Sequence, residues 1–266
     1  MSDGYGSGDY TPLKVEHYRD LIHLHLELVR VILARQHWMS QRYYYFDVTA
    51  GPGLHPADGS LQAPLIFRQE VEWVELPRQA FFIERDPATF VQLRRHFEGA
   101  SGWQSASDGF ECINADLNPA LLECMARCMP RSKGDYLGLV YYDPKPGKEV
   151  FEAMRFLAEV SRRPNMERID FLFYVSATDV KRMREWGQTL DQTLAPFAKK
   201  HWLIRKPFGA HQWTFILGTN WADFPAYKRI DFHRKDSDQG RTLFDRINLT
   251  AGERKQRGPS LFDGQP

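Results

Sequence analysis

Tyr43-Tyr44-Tyr45-Phe46-Asp47-Val48-Thr49-Ala50-Gly51-Pro52-Gly53 decides the fold of this chain. An apolar, aromatic run short enough for a strand ends in an acid and breaks at once into a small-residue turn. An open α/β sheet presents the carboxyl end of its first strand to a nucleotide-like ligand in this way. Gly51 and Gly53 let the backbone approach a ligand closely, and Asp47 can accept hydrogen bonds from it. Thr49 and Ala50 keep the turn narrow, while Pro52 stiffens it between the glycines. The turn lacks the full G-x-G-x-x-G of a dinucleotide site, because Leu54-His55-Pro56 follow. An ordinary strand with a glycine turn is the competing reading, so the neighbouring segments have to decide.

Outward from this strand, the chain alternates. Residues 1–14 begin Gly/Ser-rich and polar and predict a flexible N-terminus; 15 to about 38 predict one amphipathic helix, with Tyr18, Leu21, Ile22, His25, Val29 and Leu33 near a 3.6-residue repeat. After the first strand come a turn at 59–64, a helix to about 74, and a strand over 80–84 ending in Glu84. Pro87 opens the next helix, 111–114 form a short strand, and Asp116 precedes another helix. Residues 135–142 are a strong fourth strand, followed by a helix over 148–162. Residues 169–175, nearly continuously apolar, predict a buried parallel strand, and 177–194 one helix. The short, Gly- and Pro-containing link between 201–205 and 212–218 suits an antiparallel hairpin. The fold expected is α/β: a mainly parallel, Rossmann-like sheet with helices on both faces.

With 266 residues and 42% apolar content, the chain suits one large domain with an appendage, here 15–230 followed by a basic, partly disordered segment over 231–266. Lysine plus arginine (35) nearly balances aspartate plus glutamate (34), so net charge argues neither for nor against a polyanionic partner. Cys112, Cys124 and Cys128 fit neither a disulfide framework nor a closed zinc site, and the histidines of the first helix show no metal spacing. Reduced thiols, no signal-like start and no apolar run of about 18 residues predict a cytoplasmic protein with no metal and no membrane span.

In an open α/β sheet, ligands lie across the carboxyl ends of the strands. Four successive strands deliver an acid there: Asp47, Glu84, Asp116 and Asp143. This pattern resembles the class I S-adenosylmethionine-dependent methyltransferases over roughly residues 40 to 220. Phe46-Asp47-Val48-Thr49-Ala50-Gly51-Pro52-Gly53, followed by Gly59-Ser60 and Pro64-Leu65, is similar to the first motif of the three-Cys-motif partner proteins within that superfamily. The resemblance implies a seven-stranded sheet with an antiparallel last strand, and S-adenosylmethionine as cofactor. It implies that Asp47, Ala50, Gly51 and Gly53 border the methionine moiety, that Glu84 takes the ribose hydroxyls, and that Asp116 takes the adenine amine. Asp143 would stand where the transferred methyl points.

Tyr142-Asp143-Pro144-Lys145-Pro146-Gly147 is similar to the D-P-P-Y motif of amino-methylating nucleic-acid enzymes. There the acid and a backbone carbonyl hold the target nitrogen in line with the sulfonium methyl, and an aromatic stacks on the base. Asp143, Pro144 and Lys145 are therefore the candidate catalytic residues. The aromatic is missing, unless Tyr142, Phe208 or Trp213 replaces it. Lys145 has two readings, a phosphate contact or a charge that repels a cationic cofactor. The stretch 199–208 interleaves cations and aromatics and suits a nucleic-acid surface, as do Lys181-Arg182-Met183-Arg184 and the basic tail.

The leading expectation is a methyltransferase acting on an amino group of nucleic acid, DNA or RNA, of the adenine N6 type. A catalytically silent member of the fold that binds nucleic acid or a partner protein is the second reading. A nicotinamide-dependent oxidoreductase is the third, and it would want a fuller glycine fingerprint.

Overall fold

The computed structural model describes residues 11–99, 109–129, 136–144, 149–209, 212–221, 225–249 and 251–257. Thr11–Arg35 (α1) leads into Tyr43–Asp47 (β1), then Ala63–Val74 (α2), Arg78–Glu84 (β2), Pro87–Phe97 (α3) and Gly109–Asn114 (β3). Leu117–Cys128 (α4), Leu137–Tyr142 (β4), Glu149–Ser161 (α5) and Ile169–Ser176 (β5) continue the alternation. Ala177–Glu185 (α6), Leu190–Leu194 (α7), His201–Arg205 (β6) and Trp213–Thr219 (β7) follow. Pro225–Lys228 (α8), Phe232–Arg234 (β8), Asp238–Ile247 (α9) and Ala251–Arg257 (α10) complete the described chain.

The strands form one eight-stranded sheet in the order β3-β2-β1-β4-β5-β7-β6-β8. β3, β2, β1, β4 and β5 run parallel, while β7 pairs antiparallel with both β5 and β6. This is a mixed, Rossmann-like arrangement, and the antiparallel hairpin of β6 and β7 stands as the spacing predicted. Strand order reverses between β1 and β4, the switch point at which open α/β sheets bind their ligands.

Side chains alternate across the sheet and build a core on each face. Tyr43 and Tyr45 of β1 pack with Leu21, Ile22 and Leu26 of α1 and Phe67 of α2. Tyr44 and Phe46 face the other way, with Leu121 of α4 and Leu157 of α5. Tyr45 and Phe67 stack at 3.8 Å between ring centroids, which locks α2 onto β1. Both faces are thus covered, and the central parallel strands β1, β4 and β5 are buried along their whole length.

Four expectations are corrected. The sheet has an eighth strand, so the seven-stranded expectation is one strand short. β8 pairs antiparallel with β6, and Lys235 N donates to Trp202 O at 2.8 Å. The segment past 231 is not simply a loose tail, because α9 buries Leu243, Phe244 and Ile247 against the core, and three apolar side chains on one stripe suffice to dock a short helix. Of the two docking points that the sequence offers in this segment, Leu243-Phe244 is buried in the core and Leu261-Phe262 lies outside the described residues. The helix expected over 177–194 is two, because Gly187 takes φ +76° and Thr189 starts α7 with a capping box shared with Gln192. Finally, α1 begins at Thr11, inside the stretch expected to be flexible, since Lys14 and Tyr18 at i, i+4 extend its packed face.

Candidate active site

The acids converge along one rim. Because β3, β2, β1 and β4 are parallel neighbours, Asp116, Glu84, Asp47 and Asp143 follow one another across their carboxyl ends. The glycine turn lies at the switch point and is pinned on both sides. Val48 N donates to Tyr141 O of β4 at 3.1 Å, and Ala50 N donates to Ile83 O of β2 at 3.0 Å. Gly51 sits at φ +69° and Gly53 at φ +86°, a region open to glycine at little cost. A Cβ on Gly53 would come within 3.1 Å of His96 Cδ2, so this glycine serves close packing against α3.

Within the turn, burial separates two roles. Asp47, Ala50 and Gly53 are buried, whereas Gly51, Glu84 and Asp143 remain partly open and Asp116 is exposed. Asp47 Oδ1 accepts from Thr49 N at 3.2 Å, and Oδ2 is buried with no partner. Its side chain therefore stands behind the turn, and the expectation that it borders a ligand directly gives way to one in which it shapes the turn and its field. Glu84 Oε2 accepts from Gly51 N at 2.9 Å and Oε1 from Asp86 N at 2.8 Å, which fixes the carboxylate at the rim. Asp86 itself caps α3, accepting from Thr89 N at 2.7 Å. Asn114 Nδ2 donates to Glu84 O at 2.8 Å and ties the ends of β2 and β3 together. Asp116 stands at the N-cap of α4 without a side-chain cap bond, its carboxylate exposed.

Burial pushes the Asp47 carboxyl well above the ordinary carboxylate range; the Thr49 N–H opposes this, the Asp143 and Glu84 charges add to it, and Lys14 offsets part. A folded-state value above the unfolded one means stability that is present below about pH 3.9 and lost as pH rises through the folded value. Asp47→Asn is therefore expected to stabilise the protein at neutral pH by on the order of 1 kcal/mol, the size common for relieving a compromise at a functional site. Thermal melts between pH 4 and pH 8 check this. The gain should grow with pH and then level off; a gain that shrinks with rising pH contradicts the assignment.

At the end of β4, Asp143 is held from three sides. Its N–H donates to Thr49 Oγ1 at 2.9 Å, and its Oδ2 accepts from Tyr141 OH at 3.2 Å and from Lys14 Nζ at 2.5 Å. Lys14 belongs to the first turns of α1, and its ammonium lies 4.0 Å from the centroid of Tyr174 on β5. Tyr174 in turn stacks on Trp213 at 5.0 Å with the rings nearly parallel. Below them, the hydroxyls of Tyr18 and Tyr45 share a 2.5 Å hydrogen bond. A shallow, solvent-open groove adjoins this corner, lined by Pro144, Val150, Tyr174, Asp179, Arg182 and Trp186.

Residues that the sequence reading missed are Lys14, Tyr174 and Trp186. Lys14 carried a signal, a charge on the apolar stripe of α1. Tyr174 carried none, being one more apolar residue of a buried strand. Of the aromatics proposed to complete the motif, Tyr142 faces the opposite core, while Phe208 and Trp213 are half-buried and bridge to each other. Lys145 lies outside the described residues.

The proposed nucleic-acid stretch over 199–208 is largely structural. Lys199 is buried, donates to Met166 O at 2.9 Å and Glu167 O at 3.1 Å, and burial lowers its pKa to about 8. Arg205 is buried and donates to His17 Nδ1 at 2.7 Å, and Trp202 packs on Phe173 and Phe197. In the tail, Arg234, Lys235 and Arg241 pair with Asp236, Asp191 and Asp238. Alternating apolar and basic residues on a strand face produce this pattern without any ligand.

No family model matches the chain, and no curated protein matches it. Among solved structures, a Legionella pneumophila protein described under the family model DUF519 is 13% identical, covers 80% of this chain and 89% of its own, and superposes with a TM-score of 0.49. The METTL16 methyltransferase domain is 10% identical, with 74% and 66% covered and a TM-score of 0.43. A human methyltransferase 10 domain containing protein is 10% identical, with 73% and 83% covered and a TM-score of 0.42. At this distance the reading of the chain rests on its own geometry.

Proposed function

We propose that this chain is an S-adenosylmethionine-dependent methyltransferase that acts on an amino group of nucleic acid. The observation that carries the reading is the order of acids across one rim, Asp116, Glu84, Asp47 and Asp143, with a glycine turn at the switch point between β1 and β4. The residues fit the cofactor. Glu84 offers a fixed carboxylate to a pair of vicinal hydroxyls, and each of its oxygens keeps a lone pair after the backbone bonds. Asp116, exposed on the neighbouring strand end, is an acceptor for an exocyclic amine. Gly51 leaves space for a backbone approach. Bound S-adenosylmethionine supplies an electrophilic methyl on a sulfonium.

The chain's own contribution is alignment. Asp143, fixed by Thr49, Tyr141 and Lys14, accepts a hydrogen bond from the target amine, and the Pro144 carbonyl is the second acceptor. Two acceptors orient the nitrogen lone pair, and alignment with charge placement is most of what such a transfer needs. The groove beside Pro144 offers Trp186 as an aromatic surface for an acceptor, while its cation, Arg182, lies 4.0 Å from Asp179. The Lys14–Asp143 pair favours a second reading, a silent member of the fold, because an ammonium already fills the acceptor position.

Titration calorimetry with S-adenosylmethionine and with NAD separates the cofactor classes. The protein should bind the former and not the latter, and Glu84→Ala should weaken binding at least tenfold, within the range of hydrogen bonds to charged groups. Preference for NAD, or an unchanged Glu84→Ala affinity, would overturn the assignment.

A further inference from the structure

Lys14 places a positive charge where the proposed donor would bring its own. Its ammonium pairs with Asp143 Oδ2 at 2.5 Å and stands 4.0 Å from the Tyr174 centroid. The pair is only partly open, with the side chains 30% and 25% exposed, so solvent screens it incompletely. α1 holds the lysine there. Tyr18, one turn on, is fully buried and bonded to Tyr45, and Leu21, Ile22 and Leu26 anchor the helix behind it. The ammonium thus answers the carboxylate of Asp143 and adds its field at Asp47, in a cage of carboxylate and aromatic face that suits a compact cation.

S-adenosylmethionine and its demethylated product, S-adenosylhomocysteine, differ by one methyl and one positive charge, on the sulfur. A neutral thioether can sit beside the Lys14–Asp143 pair unopposed. A sulfonium competes with Lys14 for the same carboxylate and is repelled by it. We infer that Lys14 is a specificity-determining residue, an internal cation that donor binding must displace and product binding need not. It biases the site against the donor relative to the product, and so makes the enzyme sensitive to product. The inference rests on the methyltransferase reading.

Calorimetry with both ligands on the full chain, and on Lys14→Met, Lys14→Gln and Lys14→Arg, tests it, with thermal melts confirming that each variant folds. The ratio of donor to product affinity should rise at least fivefold in the two neutral variants and stay within twofold of the original in Lys14→Arg. A ratio that stays within twofold in both neutral variants, with both ligands bound, overturns the role of Lys14 and leaves the cofactor assignment standing. Failure of every variant, and of the original chain, to bind either ligand overturns both.

Discussion

Asp143→Ala is expected to lower methyl incorporation into a mixed pool of DNA and RNA at least about 100-fold, the loss typical when a reacting group is misplaced by about 1 Å. The variant keeps the Asp143 N–H to Thr49 Oγ1 and so keeps the loop's path, but it removes the acceptor that orients the amine. It also removes the ion-pair partner of Lys14. Transfer of label from S-adenosylmethionine, with cofactor affinity measured in parallel, isolates the effect. Incorporation in the variant equal to that of the original chain contradicts the role given to Asp143. Tight cofactor binding with no incorporation by the original chain into any nucleic acid would instead favour the silent reading.

Gly138→Ala should damage the fold more than any substitution at the rim. Gly138 lies opposite Tyr44 where β4 pairs with β1, and a Cβ there would fall 1.9 Å from the Tyr44 carbonyl oxygen and 2.7 Å from its carbon. Neither atom is the end of a flexible side chain, so the two strands must part. We expect destabilisation of about 3 kcal/mol, the upper end of what overpacking normally costs, read from denaturant unfolding. Cofactor affinity should fall with it, because Val48 and Asp143 hold their places through the same strand pair. A loss under about 1 kcal/mol would mean that the sheet gives way locally, and that its centre is less tightly coupled than the packing implies.

Much of this was legible in the sequence because it follows from local pattern. Tyr43 to Asp47 combines a continuous apolar run with an acid and a glycine turn, and each signal points to a strand end. Asp47, Glu84 and Asp116 share a rim for a topological reason: any strand in a right-handed β-α-β series ends on the same side. Long-range packing was not legible. Phe232 enters the sheet because β6 leaves an edge to pair with; Leu243-Phe244 could be read as a docking point, but the surface that receives it exists only once that edge is filled. The same holds for Lys14, whose partner Asp143 is 129 residues away. The basic stretch over 199–208 misled because composition records that Lys199 and Arg205 are cations, and not that their charges are spent on Met166 O, Glu167 O and His17.

A crystal structure grown with S-adenosylhomocysteine would put the central claim to its most direct test. The account predicts adenosine across the ends of β1 and β2, its ribose hydroxyls on Glu84, its base toward Asp116 and its sulfur toward Asp143. A ligand seated elsewhere on the molecule, or a rim left empty at a saturating concentration, would contradict it.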